Sequence, residues 1–448
     1  MRNSLIAACL LAAALAGCKD QQATGASAPA AQPPAAATAV ASQTLAPPPP
    51  LTLAAQVGAR MFFDPTLSGS GKMSCATCHD PAHAYGPPND LAVQLGGHDL
   101  KQAGTRAVPT LMYKDYTKPY SDTYENPDMI SPPGPGGGFA WDGRADTLAE
   151  QAAIPLMAPN EMANDSPAAL TEAIRHAPYA ELFRQAFGAD ALERPERAVE
   201  LAGAALQAFQ VEDKSFHPYS SKFDRYRNNK IGGTLTAAEA HGLRVFLDPQ
   251  KGNCMACHLL GGGNDGSLDI TSDYSFAAIG VPRNKEIPAN ADPAYFDLGL
   301  CGPLRTDHQP GKGKGKDAAG GCGMFKTPIL RNVATRHVFM HNGVFKSLED
   351  VVKFYNTRDT QPELWYPRDA HGKVRKFDDL PARYRANLDD QMPLDQRRAG
   401  SKPPMTDQEM ADLLTFLATL NDGYQPPAQP AQAGPPATAP ASTTHASR

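Results

Sequence analysis

The sequence predicts a mainly α chain with long irregular loops, built as two related halves. Three observations carry this expectation. Apolar residues recur at helical spacing behind recognisable capping residues. Strand-like alternation is scarce. One short unit occurs twice: Met61-Phe-Phe-Asp-Pro65 precedes Cys75, and Val245-Phe-Leu-Asp-Pro249 precedes Cys254. Repetition of a whole unit implies two homologous domains.

The elements follow in chain order. Val57, Met61 and Phe62 form a helical stripe ahead of the first cysteine pair. Asp165 or Ser166 can cap a helix running towards Phe187, interrupted at Pro178. A further helix follows Pro195 and runs to about Phe209. Thr236-Ala-Ala-Glu239 is a capping box before Leu243 and Phe246. Ser347 can cap a helix that places Leu348, Val351, Val352 and Tyr355 on one face. Thr406-Asp-Gln-Glu409 is a second capping box, before Leu413, Leu414, Leu417 and Leu420. The polar stretch Ser220–Gly233 is the expected boundary, giving domains over 51–225 and 226–424.

The ends differ in composition from this middle. Arg2 followed by the apolar run Leu5–Ala14 reads as an export signal over 1–18, too short to span a membrane. Leu-Ala-Gly before Cys18 resembles the lipobox of bacterial lipoproteins. That resemblance implies acylation of Cys18 and a periplasmic protein anchored by lipid; Lys19 resembles outer-membrane sorting. Residues 19–50 and 425–448 are rich in Ala, Pro, Ser, Thr and Gln, read as a disordered tether and tail. Across 448 residues the formal charge is -5, so no basic footprint points to nucleic acid.

The chemistry lies in the cysteines. Cys75-Ala-Thr-Cys78-His79 and Cys254-Met-Ala-Cys257-His258 both read Cys-x-x-Cys-His, the pentapeptide that attaches haem c. Two thiols add to the two vinyl groups of the porphyrin, and the adjacent histidine reaches the iron. Zinc would need four converging ligands, and a redox dithiol has no need of the histidine twice. Cys301 and Cys322 flank a Gly/Lys-rich loop, Gly311–Lys316. In an exported chain they are expected to form a disulfide, two buried thiols being the alternative.

More motifs surround the haem signals. Phe139-Ala-Trp141-Asp-Gly-Arg144 is followed by Gln151 and by Asn160-Glu161-Met162. Phe325-Lys-Thr-Pro-Ile-Leu-Arg-Asn332 is followed by His341-Asn-Gly343. In this order, from about Ala54 to about Leu420, the chain resembles the bacterial di-haem cytochrome c peroxidases and their relative MauG.

The resemblance implies two cytochrome c-like domains, each with one covalent haem. Hydrogen peroxide would react at the Cys75/Cys78/His79 haem, and the Cys254/Cys257/His258 haem would handle electrons. It implies that Trp141 lies between the haems and that Gln151 and Glu161 line the peroxide side. A buried carboxylate can move a proton between the peroxide oxygens; a glutamine can only orient them.

In the peroxidases a methionine ligand lies fourteen residues after the histidine of His-x-Gly. Here that position is Tyr355, as in MauG-type proteins, with Met324, Met340 or Met392 as the alternatives. A phenolate oxygen favours ferric and more oxidised iron, whereas a thioether favours ferrous iron. His98, beside Gly96 and Gly97, lies in the loop where typical di-haem peroxidases carry a ligand that blocks the first iron, but at a spacing that differs by several residues; MauG lacks such a ligand and keeps the site open. The family's calcium ion is held partly by an asparagine; Ala107 stands there, leaving backbone carbonyls. The expected function is peroxide reduction with electrons from a small cytochrome c or cupredoxin. The rivals are a MauG-like enzyme oxidising residues of a partner protein, and a pure electron carrier.

Overall fold

The computed structural model describes residues 49–261, 271–308 and 320–427. The expected export signal, Cys18, nearly all of the tether and tail, and Gly311–Lys316 lie outside the described residues. Among the described residues the chain is mostly helical with little sheet, and none of its helices is long and apolar enough to cross a membrane.

Local chemistry explains where the helices begin and stop. The first, α1 (Leu53–Phe62), is capped by Thr52, and Cys75–Cys78 forms the short α2. A Thr147/Glu150 capping box starts α3 (Leu148–Met157). Ser166 caps α4 (Pro167–His176). Ala177, ahead of Pro178, is extended, as a residue before proline prefers, and α5 (Ala180–Phe187) begins afresh. The long α6 (Pro195–Glu212) has its proline in the first turn, where a missing N–H costs nothing.

The polar stretch 220–233 contains a helix, α7 (Lys222–Arg227), closed by a Ser221/Asp224 box. Capping boxes also open α8 (Ala237–Leu247) and α10 (Asp407–Ala418), and Ser347 caps α9 (Leu348–Thr357). Three small antiparallel ribbons complete the fold: β1 (Leu95–Gly96) with β2 (Gln102–Ala103), β3 (Ser121–Tyr124) with β4 (Gly134–Gly136), and β5 (Phe276–Ala277) with β6 (Phe325–Lys326).

The apolar side chains gather in two main clusters. One centres on Met61, Phe62, Leu156, Phe183 and Phe209; the other on Phe246, Val352, Phe354, Phe416 and Leu417. The repeat seen in the sequence has a packing counterpart. Gly58 lets α1 cross α6 so closely that a Cβ there would lie 2.0 Å from the Ala205 carbonyl oxygen. Gly242 does the same for α8 on α10, with 2.0 Å to the Asp412 carbonyl oxygen. Each glycine stands three residues before its repeated unit.

Two polar junctions tie early residues to late ones. Arg331 forms a buried ion pair with Asp224 and lies 4.7 Å from both the Tyr113 and Tyr219 rings. Asp422 accepts from the Tyr113 hydroxyl at 2.6 Å, from the Ser220 N–H at 2.9 Å and from the Asn332 amide at 2.8 Å. Cys301 and Cys322 are joined by a disulfide.

Candidate active site

The two Cys-x-x-Cys-His motifs end in matching geometry. Ser74 and Thr77 close a capping box around α2, and the His79 N–H donates to the Cys75 carbonyl at 2.9 Å. In the second motif Asn253, in left-handed geometry, turns the chain into a 3-10 turn over Cys254–Ala256. The His258 N–H then donates to the Cys254 carbonyl at 2.8 Å.

His79 Nδ1 lies 3.0 Å from the Tyr85 carbonyl, and His258 Nδ1 lies 3.1 Å from the Thr271 carbonyl. A carbonyl only accepts, so in the tautomer with the proton on Nδ1 these bonds form and Nε2 is the nitrogen left for iron; the backbone of Pro109 and of Pro328 also faces the respective rings. Burial pushes His79 down to about 4 and lowers His258 as well, so both rings are neutral. Tyr85 is fixed by stacking on Phe216 at 3.9 Å between ring centres.

Cys75, Cys78, Cys254 and Cys257 are free thiols. Burial pushes the first three up to about 12 and Cys257 higher still, so all four are protonated thiols. Among the described residues, no three or more His, Cys, Asp or Glu side chains converge as a metal cluster.

A cavity of about 1900 Å³, counting the open space at its mouth, adjoins the second motif. Cys254, Cys257 and His258 line it, and so does the α9 face Leu348, Val351, Val352 and Tyr355. Burial raises the Tyr355 phenol above its usual range; a bound cation reverses such a preference. Met340 and Met392 share the wall, but Met392 Sδ accepts from Arg397 at 3.2 Å. Met324 is not among the lining residues. These residues fit a haem: two thiols, a neutral imidazole with Nε2 available, a cavity beside them and a second oxygen donor on its wall.

Trp141 lines the same cavity, and its indole N–H donates to the Ala107 carbonyl at 2.8 Å. The Ala107 N–H in turn donates to the His341 carbonyl at 2.8 Å. The Ala107 carbonyl thus already accepts one hydrogen bond, from Trp141. The neighbouring cation is Arg106, whose guanidinium joins Asp142 at 2.8 Å and Asp297 at 2.7 Å. His341 stacks on Phe325 with 3.4 Å between ring centres and is pushed down to about 3 by burial.

Glu161 stands beside the first motif. Its carbonyl accepts from the Gly97 N–H at 2.8 Å, and its carboxyl is near enough to influence Cys75, Cys78 and Arg144. Burial raises its pKa, with Arg144 opposing. Gln151 is half-buried on α3; among the described residues no hydrogen bond joins it to Glu161.

His98, in the loop after the first motif, lies at the surface of this structure. Its side chain is 54% exposed, and Nε2 bonds Asp165 at 2.9 Å, so the nitrogen needed for iron is engaged by a surface carboxylate. Sequence reasoning also missed Asp297, Lys114, Lys326 and Arg336 around the cavity. Asp142 and Lys326 lie inside the quoted motifs, which was the available signal; their distant partners left none.

Comparison with known proteins identifies relatives of the chain. Residues 53–231 match the family model for di-haem cytochrome c peroxidase. The methylamine utilization protein MauG of Paracoccus denitrificans is 36% identical over 307 residues, covering 67% of this chain and 74% of that protein. The cytochrome c551 peroxidase of Nitrosomonas europaea is 27% identical, covering 67% and 71%. The crystal structure of the di-haem peroxidase BthA from Burkholderia thailandensis superposes with a TM-score of 0.72 at 40% identity, covering 84% of this chain and 87% of that one. A fold, two matched histidine sites and long relatives thus point the same way: the chain belongs to the di-haem cytochrome c peroxidase and MauG family, and is a peroxidase-type oxidoreductase.

Proposed function

We propose that the chain is a periplasmic, lipid-anchored peroxidase carrying two covalent haems, one in each of two cytochrome c-like domains. Cys18 is the anchoring residue, and residues 19–50 the tether. The haems are attached at Cys75, Cys78 and His79 and at Cys254, Cys257 and His258. Tyr355 is the second ligand at the latter. The observation that carries this reading is the shared cavity, which brings Tyr355 to the same wall system as His258 and both cysteines of its motif.

Bound haem iron supplies the centre at which peroxide is reduced. The protein's own groups do the rest. Glu161 accepts a proton from one peroxide oxygen and returns it to the other, and burial suits it by holding its pKa above the ordinary glutamate range. Gln151 orients the peroxide. Trp141, on the cavity wall, couples the two sites. Electrons come from a small cytochrome c or cupredoxin. Calcium is not needed to hold the Trp141 segment, because Arg106 already bridges Asp142 and Asp297.

Tyr355 also favours a second reading, in which a partner protein's own residues are oxidised in the manner ascribed to MauG. Low-temperature electron paramagnetic resonance of the ferric protein tests both. The expected spectrum of the holoprotein has one high-spin and one low-spin component, both fading with stoichiometric peroxide. Tyr355→Phe should lose the low-spin component, and His98→Ala should leave both. Two low-spin components that ignore peroxide until an electron is added would defeat the open first site. Turnover with a reduced cytochrome favours the first reading; peroxide consumption without a small donor favours the second.

A further inference from the structure

The cavity beside Cys254 carries positive charge that no ion pair answers. Lys114, Lys326 and Arg336 all line it. Among the described residues none of the three pairs with a carboxylate. Lys326 Nζ donates to the Gly138 carbonyl, and Arg336 donates to the carbonyls of Val108 at 2.9 Å and Val338 at 3.4 Å. The aspartates of the wall are placed elsewhere. Asp297 is held by Arg106 and Asp379 by Arg283, while Asp389 lies towards Cys257 and Tyr355. Asp142 reaches Lys326 only through space.

The three cations feel one another. Burial lowers Lys326 to about 7, with Lys114 adding to the effect, and lowers Lys114 to about 8, with Arg336 adding. Lys114 and Arg336 also act on His79 of the first motif. All three stand on the wall of one cavity. Grouped cations away from water are costly unless an anion joins them. The thiols and imidazole on the same wall would bring such an anion with the group they anchor, since haem carries two propionate carboxylates.

We infer that Lys114, Lys326 and Arg336 receive the propionate carboxylates of bound haem and hold them ionised between the two Cys-x-x-Cys-His motifs. This rests on the covalent-haem reading above. The three side chains are then positioning residues that set the haem potential, because hydrogen bonds and charge around a haem tune it. Removing one cation favours the oxidised, more positive iron, so the potential falls.

The test uses holoprotein grown with haem isotopically labelled at the propionate carbons. Pyridine haemochrome assay first counts the haems; fewer than two would overturn the covalent-haem reading itself, separately from the role of the cations. Redox-induced infrared difference spectra then read the labelled carboxylate bands. Lys114→Met, Lys326→Met and Arg336→Met are each expected to move these bands and lower at least one midpoint potential. Lys346→Met, at the exposed pair with Glu286, is expected to change neither. If a methionine variant does not accumulate as holoprotein, Lys326→Arg should keep the potential yet move the bands. Unmoved bands in haem-loaded variants overturn the assignment. So does a wild-type spectrum that shifts on adding inorganic phosphate while the labelled bands stay still, which would mark a site for a free anion.

Discussion

The indole N–H of Trp141 donates a 2.8 Å hydrogen bond to the carbonyl of Ala107, fixing the ring against the segment whose next link is His341. Trp141→Phe keeps a ring but leaves that carbonyl without its donor. We expect a stability loss of about 1–3 kcal/mol, the cost of an unsatisfied buried acceptor. Peroxide turnover should fall by a larger factor than stability explains. Urea unfolding of the haem-loaded variant, beside steady-state turnover, separates the two effects.

In the role proposed for it, Glu161 must be ionised to accept the first peroxide proton. Burial holds its pKa above the ordinary glutamate range, so activity should decline as pH falls through that raised value. Glu161→Gln should lower turnover by about 10²–10⁴-fold and abolish this acid limb. A pH–rate profile of the variant that keeps the wild-type acid limb would assign it to another group.

The Asp224–Arg331 pair predicts a pH-dependent stability. Burial raises the Asp224 pKa, but hydrogen bonds and charge from Arg331, aided by Ser221, outweigh it and hold the carboxyl below its usual range. The stabilisation is therefore fully present above the ordinary aspartate pKa and is lost as pH falls through the depressed one. Asp224→Asn should cost about 3–5 kcal/mol near neutrality, because Arg331 is left buried without its partner. The gap between wild type and variant should narrow in acid, as read by unfolding curves at several pH values.

Gly58 and Gly242 occupy equivalent helix crossings. An alanine at either would place Cβ 2.0 Å from a backbone oxygen. Gly58→Ala and Gly242→Ala should each destabilise by at least about 1–3 kcal/mol, the usual range for overpacking. Gly134→Ala, where nothing lies within 4 Å, serves as the control. Equal thermal midpoints for all three variants would contradict the crossing geometry.

Much of the helical framework was legible because its signals are local. Ser166, the Thr236/Glu239 box and the Thr406/Glu409 box start helices within a few residues of themselves. The face formed by Leu348, Val351, Val352 and Tyr355 followed from helical spacing and does line the cavity. What was not legible depends on distant partners. Arg106 finds Asp297 across 191 residues, and nothing around either announces the other. The helix within 220–233 carried little apolar signal, because its polar residues are answered by Arg331, 107 residues from Asp224, and by Glu239, 17 residues from Lys222. The ribbons, two to four residues per strand, are too short to show alternation. His98 Nε2 meets Asp165 across 67 residues, a contact that the loop's own sequence does not announce.

Asp422 gives the order of synthesis a physical meaning. Tyr113, Ser220 and Asn332 are all made before it, and each directs a donor at its carboxylate. Until residue 422 arrives, the Tyr113 hydroxyl, the Ser220 N–H and the Asn332 amide lack this shared acceptor. A chain cut short just before residue 422 would lack the one carboxylate on which donors from three distant segments converge.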